Sequence, residues 1–236
     1  MADDVPTVSA YPVAGERGRL RLLQLCALTS TCDRFSIAPL IVVIAADLAA
    51  PFAAVAAVAS AYFLAYGLMQ PVWGMASDRL GRVRVMRLAL LGATAAGAGS
   101  ALAPDLLVLG LTRVVAGGCF AALIPASLVY VGDSWPAEVR QRPLSDVLAA
   151  SSLGVAAATA GAGALADLVG WRAVPAAVAV AGAGLWVALR RLPEPDRAPT
   201  TADPLGSIVR VLAHPWARIV LALAFVEPRD CTAGAR

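Results

Sequence analysis

The sequence is poor in the side chains that hold a soluble domain in water: 15% of its 236 residues are charged, and 6% are aromatic. Lysine is absent, so all 19 basic residues are arginine, set against 16 acids. A net charge of +3 spread along the chain is too small for a nucleic-acid surface, and no nucleic-acid partner is expected. The four cysteines, Cys26, Cys32, Cys119 and Cys231, form no Cys-x-x-Cys pair, which argues against a disulfide framework or a zinc site. They read as small apolar fillers, and no metal or cofactor is expected. The residues before Gly18 are polar, contain Pro6 and Pro12 and lack an apolar core, so they are no cleavable signal peptide and the first span acts as an uncleaved anchor.

What is present is apolar mass. Hydrophobic residues make up 59% of the chain and the mean hydropathy is +0.74, well beyond the composition of a soluble domain. A spanning helix needs about 20 mostly apolar residues. Six runs meet that need: Leu22 to Leu48, Ala53 to Ala76, Val83 to Ala103, Leu106 to Val131, Val147 to Val169 and Val174 to Leu189. The reading is an all-α membrane protein: a polar tail (1–19), a six-helix bundle (20–191), a linker (192–206), then an incomplete seventh span and tail (207–236).

The arginines sort by side. Arg17, Arg19 and Arg21 precede the first span, Arg79, Arg82, Arg84 and Arg87 follow the second, Arg140 and Arg142 the fourth, and Arg190, Arg191, Arg197 and Arg210 the sixth. The opposite loops hold only Arg172, so the positive-inside rule puts the N-terminus and the linker in the cytoplasm of a multi-pass cell-membrane protein.

The end of the second span, Gly74 to Gly81, and that of the fifth, Gly163 to Gly170, both read Gly, then Asp four residues on, then Gly three further. One exit is cytoplasmic and the other external, as two three-helix units inserted with opposite topology require.

Gly74 to Arg87, GMASDRLGRVRVMR, resembles the loop signature between the second and third helices of the major facilitator superfamily. Arg113 to Gly117 in the fourth span resembles that superfamily's Arg-x-x-x-Gly helix, and Asp133 to Arg140 the loop after it. The drug and proton antiporter branch is the most similar. Its Gly-Pro-x-x-Gly-Gly element in the fifth helix would fall on Ala158 to Gly163, where the proline is absent. The resemblance implies one six-helix bundle of two inverted repeats, a second bundle joined through the linker, and proton-coupled efflux of a drug-like or amphipathic solute with no cofactor. It also implies a latch of Gly74, Asp78, Arg79, Gly81, Arg82 and Asp133, in which Asp78 caps a helix of the other half and Arg82 pairs with Asp133. The bland alternative is that these arginines are only topogenic charge.

Within the bilayer the sequence is sparing with charge, and Asp33, Arg34 and Arg113 stand out. At about 1.5 Å rise per residue, Asp33 lies roughly 16 Å into the first span and Arg113 roughly 10 Å into the fourth. In a core about 30 Å thick the two share a depth and could pair across helices. A desolvated carboxylate has a raised pKa and a neighbouring arginine lowers it, so moving one against the other drives proton uptake or release. The alternatives are a permanent ion pair, or a first span shifted until both charges reach an interface. Arg34 and Gly117 complete the candidate coupling or cavity set, and Gly154, Gly161 and Gly163 are assigned to helix packing, Gly154 with Ala158 and Ala162 in a small-residue stripe. Pro39, Pro71, Pro125 and Pro175 lie inside spans and would permit bends.

Enzyme classes fare poorly. A serine intramembrane protease needs a buried Ser and His, yet His214 precedes the incomplete span, and an aspartyl one needs two intramembrane aspartates where only Asp33 qualifies. The run from Trp216 to Val226 is about half a span and meets Glu227-Pro228-Arg229-Asp230. The expectation is therefore a truncated half-transporter, inactive alone and completed by a second six-helix half. Its alternative is a non-transporting half-length membrane protein: a partner subunit, a regulator or a damaged-gene product.

Overall fold

The computed structural model describes residues 14–195 and residue 216. The chain divides into two compact units, residues 1–197 and 198–236; of the second, only Trp216 is described, as helical and exposed. The run expected from Trp216 to Val226 and most of the expected linker thus lie outside the described residues.

Seven helices build the first unit: α1 (Ala14–Asp47), α2 (Phe52–Leu80), α3 (Arg82–Ala101), α4 (Leu106–Phe120), α5 (Leu123–Ser134), α6 (Gln141–Val169) and α7 (Ala173–Ala188), closed by a 3-10 turn at Leu189–Arg191. The fourth span is α4 and α5 in series. Pro125 has no N–H for the carbonyl of Ala121, so the helix breaks at Ala121 and Ala122, and the Ser30 hydroxyl of α1 donates to the Phe120 carbonyl at 3.2 Å. Pro39 and Pro71 leave α1 and α2 continuous. Pro175 removes no helical bond, because it sits in the first turn of α7, where amides lack intrahelical partners anyway.

Among the described residues, five segments are long and apolar enough to cross a bilayer: Gly15–Asp47, Phe52–Leu80, Leu106–Ser134, Gln141–Val169 and Ala173–Arg191. The third span of the expected six, α3, is missing from that set because Arg82, Arg84 and Arg87 crowd its first two turns. It is nonetheless a 20-residue helix with Val85, Met86, Ala89, Leu90, Ala93 and Gly97 buried among its neighbours. Helices α1 and α2 begin or end several residues beyond their apolar runs. Hydropathy marks the hydrocarbon layer, whereas the backbone hydrogen-bond ladder continues into the aqueous layer with arginines on its surface.

Packing follows an approximate two-fold relation. The main partners are α1 with α6, α2 with α4, and α3 with α7; α3 also meets α4, and α1 meets α7. Exchanging α1 for the α4–α5 span, α2 for α6 and α3 for α7 maps this set of pairs onto itself, with α3–α7 unchanged. The repeat predicted at the ends of α2 and α6 has matching backbone geometry: Gly81 has φ +113° and ψ 152°, and Gly170 has φ +98° and ψ 154°. Each glycine N–H closes its helix onto the carbonyl four residues back, Ser77 or Ala166, in a conformation that opposes any Cβ.

Candidate functional site

The centre of the bundle holds an ion pair shut away from solvent. Asp33 of α1 and Arg113 of α4 meet through Nη1 and Oδ1 at 3.0 Å, with 0% of the aspartate side chain and 5% of the arginine exposed. Arg113 Nε also donates to Ser100 Oγ of α3 at 3.0 Å, and Ser100 lies 2.9 Å from the Ala96 carbonyl. The Arg113 guanidinium stands 5.8 Å from the ring centre of Tyr62 on α2. Gly117, one turn along α4, lets this tyrosine approach: a Cβ there would lie 2.6 Å from the Tyr62 carbonyl oxygen.

The pairing is incomplete. Asp33 Oδ2, Arg113 Nη2 and the Tyr62 hydroxyl are all buried without a hydrogen bond of ordinary geometry. A buried polar atom left in this condition costs about 1–3 kcal/mol. Arginine thus holds one of the two carboxylate oxygens. Arg34 is not part of the pair. It reaches the next aromatic along α2 instead, with its guanidinium 4.7 Å from the Tyr66 ring and 5.0 Å from the Phe35 ring, and makes no ion pair among the described residues.

Against the other flank of α1 lies the small-residue stripe of α6. Gly154, Ala158, Ala162 and Ala166 are buried at four-residue spacing. A Cβ on Gly154 would come within 2.7 Å of the Leu28 carbonyl oxygen, and Cys32 Sγ donates to the Gly154 carbonyl at 3.4 Å. Thr31 and Ser151 join their hydroxyls across the same contact at 2.8 Å. Gly161 and Gly163 do not serve the packing expected of them: nothing lies within 4 Å of a Cβ at either, since they point away from the stripe. Gly74, named with the latch, likewise has open space beside it among the described residues.

A second cluster sits where α2 ends and α3 starts. Arg82, 12% exposed, binds Asp78 at 2.5 Å, Asp133 at the end of α5 at 3.1 Å and Ser77 Oγ at 3.2 Å. The structure thus brings Gly81, Asp78, Arg82 and Asp133 together, while Arg79 is exposed outside the group. Gly74, Asp78 and Arg82 also line a pocket of about 150 Å³ against Ala122, Pro125 and Ala126.

Two participants were not foreseen. Glu194, from the start of the expected linker, accepts hydrogen bonds from the backbone N–H groups of Arg82 and Val83. It supplies from 112 positions away the N-cap that Gly81 lacks a side chain to provide. Tyr130 of α5 helps to fix that segment by donating to the Pro193 carbonyl at 3.0 Å. At the opposite end of the bundle, Asp47 at the end of α1 binds Arg172 at 2.5 Å and accepts from Trp171 Nε1 at 3.0 Å. This is the two-fold counterpart of the Arg82–Asp133 pair. Mapping the glycine repeat onto its neighbours would have pointed to it.

A comparison with protein families matches the description Major Facilitator Superfamily to residues 23–227. A triacylglyceride transporter of Mycolicibacterium smegmatis is 32% identical over 133 residues, 55% of this chain and 24% of that protein. A triacylglyceride transporter of Mycobacteroides abscessus is 36% identical over 97 residues, 41% of this chain and 19% of its own length. The matches span about a quarter or less of these relatives. Among solved structures, a peptide transporter in complex with sulfate superposes with a TM-score of 0.69 at 16% identity, over 90% of this chain and 46% of that one. The inward-open xylose transporter of E. coli gives 0.66 at 16% identity, over 89% and 56%. At such identity the likeness is one of fold, and the chain covers about half of each solved transporter.

Proposed function

The chain belongs to the major facilitator superfamily, and on that premise we propose that it serves as one half of a proton-coupled transporter for a small amphipathic or lipid-like solute. Membership places it among transporters rather than enzymes. The observation that carries the coupling is the buried Asp33–Arg113 pair. Ionised residues within a bilayer are costly and concentrate where a cavity or proton path needs them. Shifting α4 against α1 would break the hold of Arg113 on Asp33, and shifting it back would restore the pair, which ties this contact to helix position. The names of the mycobacterial relatives favour a lipid-like solute, and the apolar, small-residue character of the spans suits it better than a sugar or peptide.

Alternating access rocks one bundle against another around a shared site, so a second six-helix bundle completes the cavity. Asp78 and the pocket beside Gly74 offer that partner a polar contact at the end of α2. The arginine-rich end of the bundle faces the cytoplasm in this reading, with export as the direction of transport.

The test uses an assembly containing the second bundle in proteoliposomes. Asp33→Asn should abolish accumulation of a lipophilic solute driven by a pH gradient while leaving solute counterflow within about twofold of the parent. A variant that still accumulates solute against its gradient would make the Asp33–Arg113 pair purely structural.

A further inference from the structure

At the arginine-rich end of the bundle, two guanidinium groups share one indole. Trp186, in the last turn of α7, has the Arg190 guanidinium carbon 4.1 Å from its ring centre and that of Arg87, from α3, at 5.6 Å. Neither arginine has an ion pair or a hydrogen bond among the described residues, and Arg87 Nε is buried with no partner at all. The acids gathered at the first turn of α3 are committed elsewhere: Asp78 and Asp133 to Arg82, and Glu194 to the α3 amides. Two like charges converge on a single aromatic ring, with no anion between them among the described residues.

We propose that this cleft between the ends of α3 and α7 is a binding site for the phosphate of an anionic phospholipid. Planar arginine forks suit phosphate oxygens, and a tryptophan at the end of a span belongs at headgroup level. The surface next to the two arginines favours a lipid over a free ion. Leu91, one helical turn beyond Arg87 toward the middle of α3, is 52% exposed, as is Leu88, and Val187 beside Trp186 is 55% exposed. These side chains continue from the charged cleft along the membrane-facing surface, where an acyl chain attached to the phosphate would lie. Basic pockets between helix ends are a recognised setting for such headgroups.

The purified full chain in detergent, given equal phosphatidylglycerol and phosphatidylcholine with the same acyl chains, is scored by native mass spectrometry for bound lipid. Phosphatidylglycerol should be retained about 25-fold over phosphatidylcholine, given that each of the two cations contributes roughly fivefold. R87Q/R190Q should bring the ratio close to one, and the single exposed change R190Q should lower it severalfold. R84Q/R191Q removes the same charge from exposed arginines near the same helix ends and should stay within twofold of the parent. Equal retention of both lipids, an unchanged ratio in R190Q, or an equal loss in R84Q/R191Q overturns the proposal. So does displacement of phosphatidylglycerol by millimolar inorganic phosphate, which would make the cleft a site for free anions.

Discussion

The Asp33–Arg113 pair shows how much one residue's position in the bundle decides. Either side chain alone in hydrocarbon would be an uncompensated charge, and deleting one partner of a buried pair typically costs about 3–5 kcal/mol. Arg113→Ala and Asp33→Asn should therefore each lower the thermal unfolding midpoint in detergent, because each leaves the partner's charge buried without its counter-ion. Midpoints equal to the parent's would show that water reaches the pair. Glycines supply a sharper contrast. Gly154→Ala pushes a Cβ into the Leu28 carbonyl and should destabilise by about 1–3 kcal/mol, the usual cost of overpacking. Gly161→Ala, in open space on the same helix, should be neutral or stabilise by up to about 1 kcal/mol through helix propensity. Parallel melting curves settle whether α6 packs through the stripe.

Among the elements, α3 depends most on distant chain. It follows a glycine with φ +113°, has no acid in its own first turn and carries three arginines near its N-terminus, where the helix dipole disfavours positive charge. Glu194 answers both deficits by accepting from the amides of Arg82 and Val83 and placing negative charge at the helix start. Glu194→Ala should cost about 0.5–2 kcal/mol, the usual value of an N-cap, and speed hydrogen exchange at those two amides. Unchanged exchange would mean that the segment after α7 does not hold α3 in solution. The break between α4 and α5 has a similarly local origin, since Pro125 releases a carbonyl and the bundle fills part of the gap with Ser30.

For the whole molecule, the approximate two-fold relation places one ion pair at each end: Arg82 with Asp133, and Arg172 with Asp47. The two differ in setting. Arg82 is largely covered and has three partners, whereas Arg172 and Asp47 are 42% and 44% exposed, which makes the second pair a weak contributor to stability. The proposed orientation rests on the positive-inside rule applied to the arginines. Reporter fusions after Arg142 and after Pro104 should report cytoplasm and exterior respectively, and the reverse pattern would overturn the cytoplasmic assignment of the arginine-rich end.

The sequence by itself determined the membrane environment, the helices, the sidedness of the arginines, the inverted repeat and the depth match between Asp33 and Arg113. These are one-dimensional properties: apolar length, charge position and spacing along a helix of known rise. It could not determine which charges meet which partners. Arg34 stands next to Asp33 in the chain, yet it points to Tyr66, because adjacent helical residues diverge by about 100°. Ser100 and Tyr62 carry no signal until α3 and α2 are placed against Arg113, as serine and tyrosine are ordinary residues in spans. Gly161 and Gly163 resembled packing glycines, but only the contact surface of α6 shows that Gly154 faces α1 and they do not. Glu194 lay in a segment read as solvated linker, and its role arises only when Leu189 and Leu192 bury against the bundle and bring the carboxylate onto the start of α3. Tertiary structure decided these points because each depends on a distance between residues that are far apart in the chain.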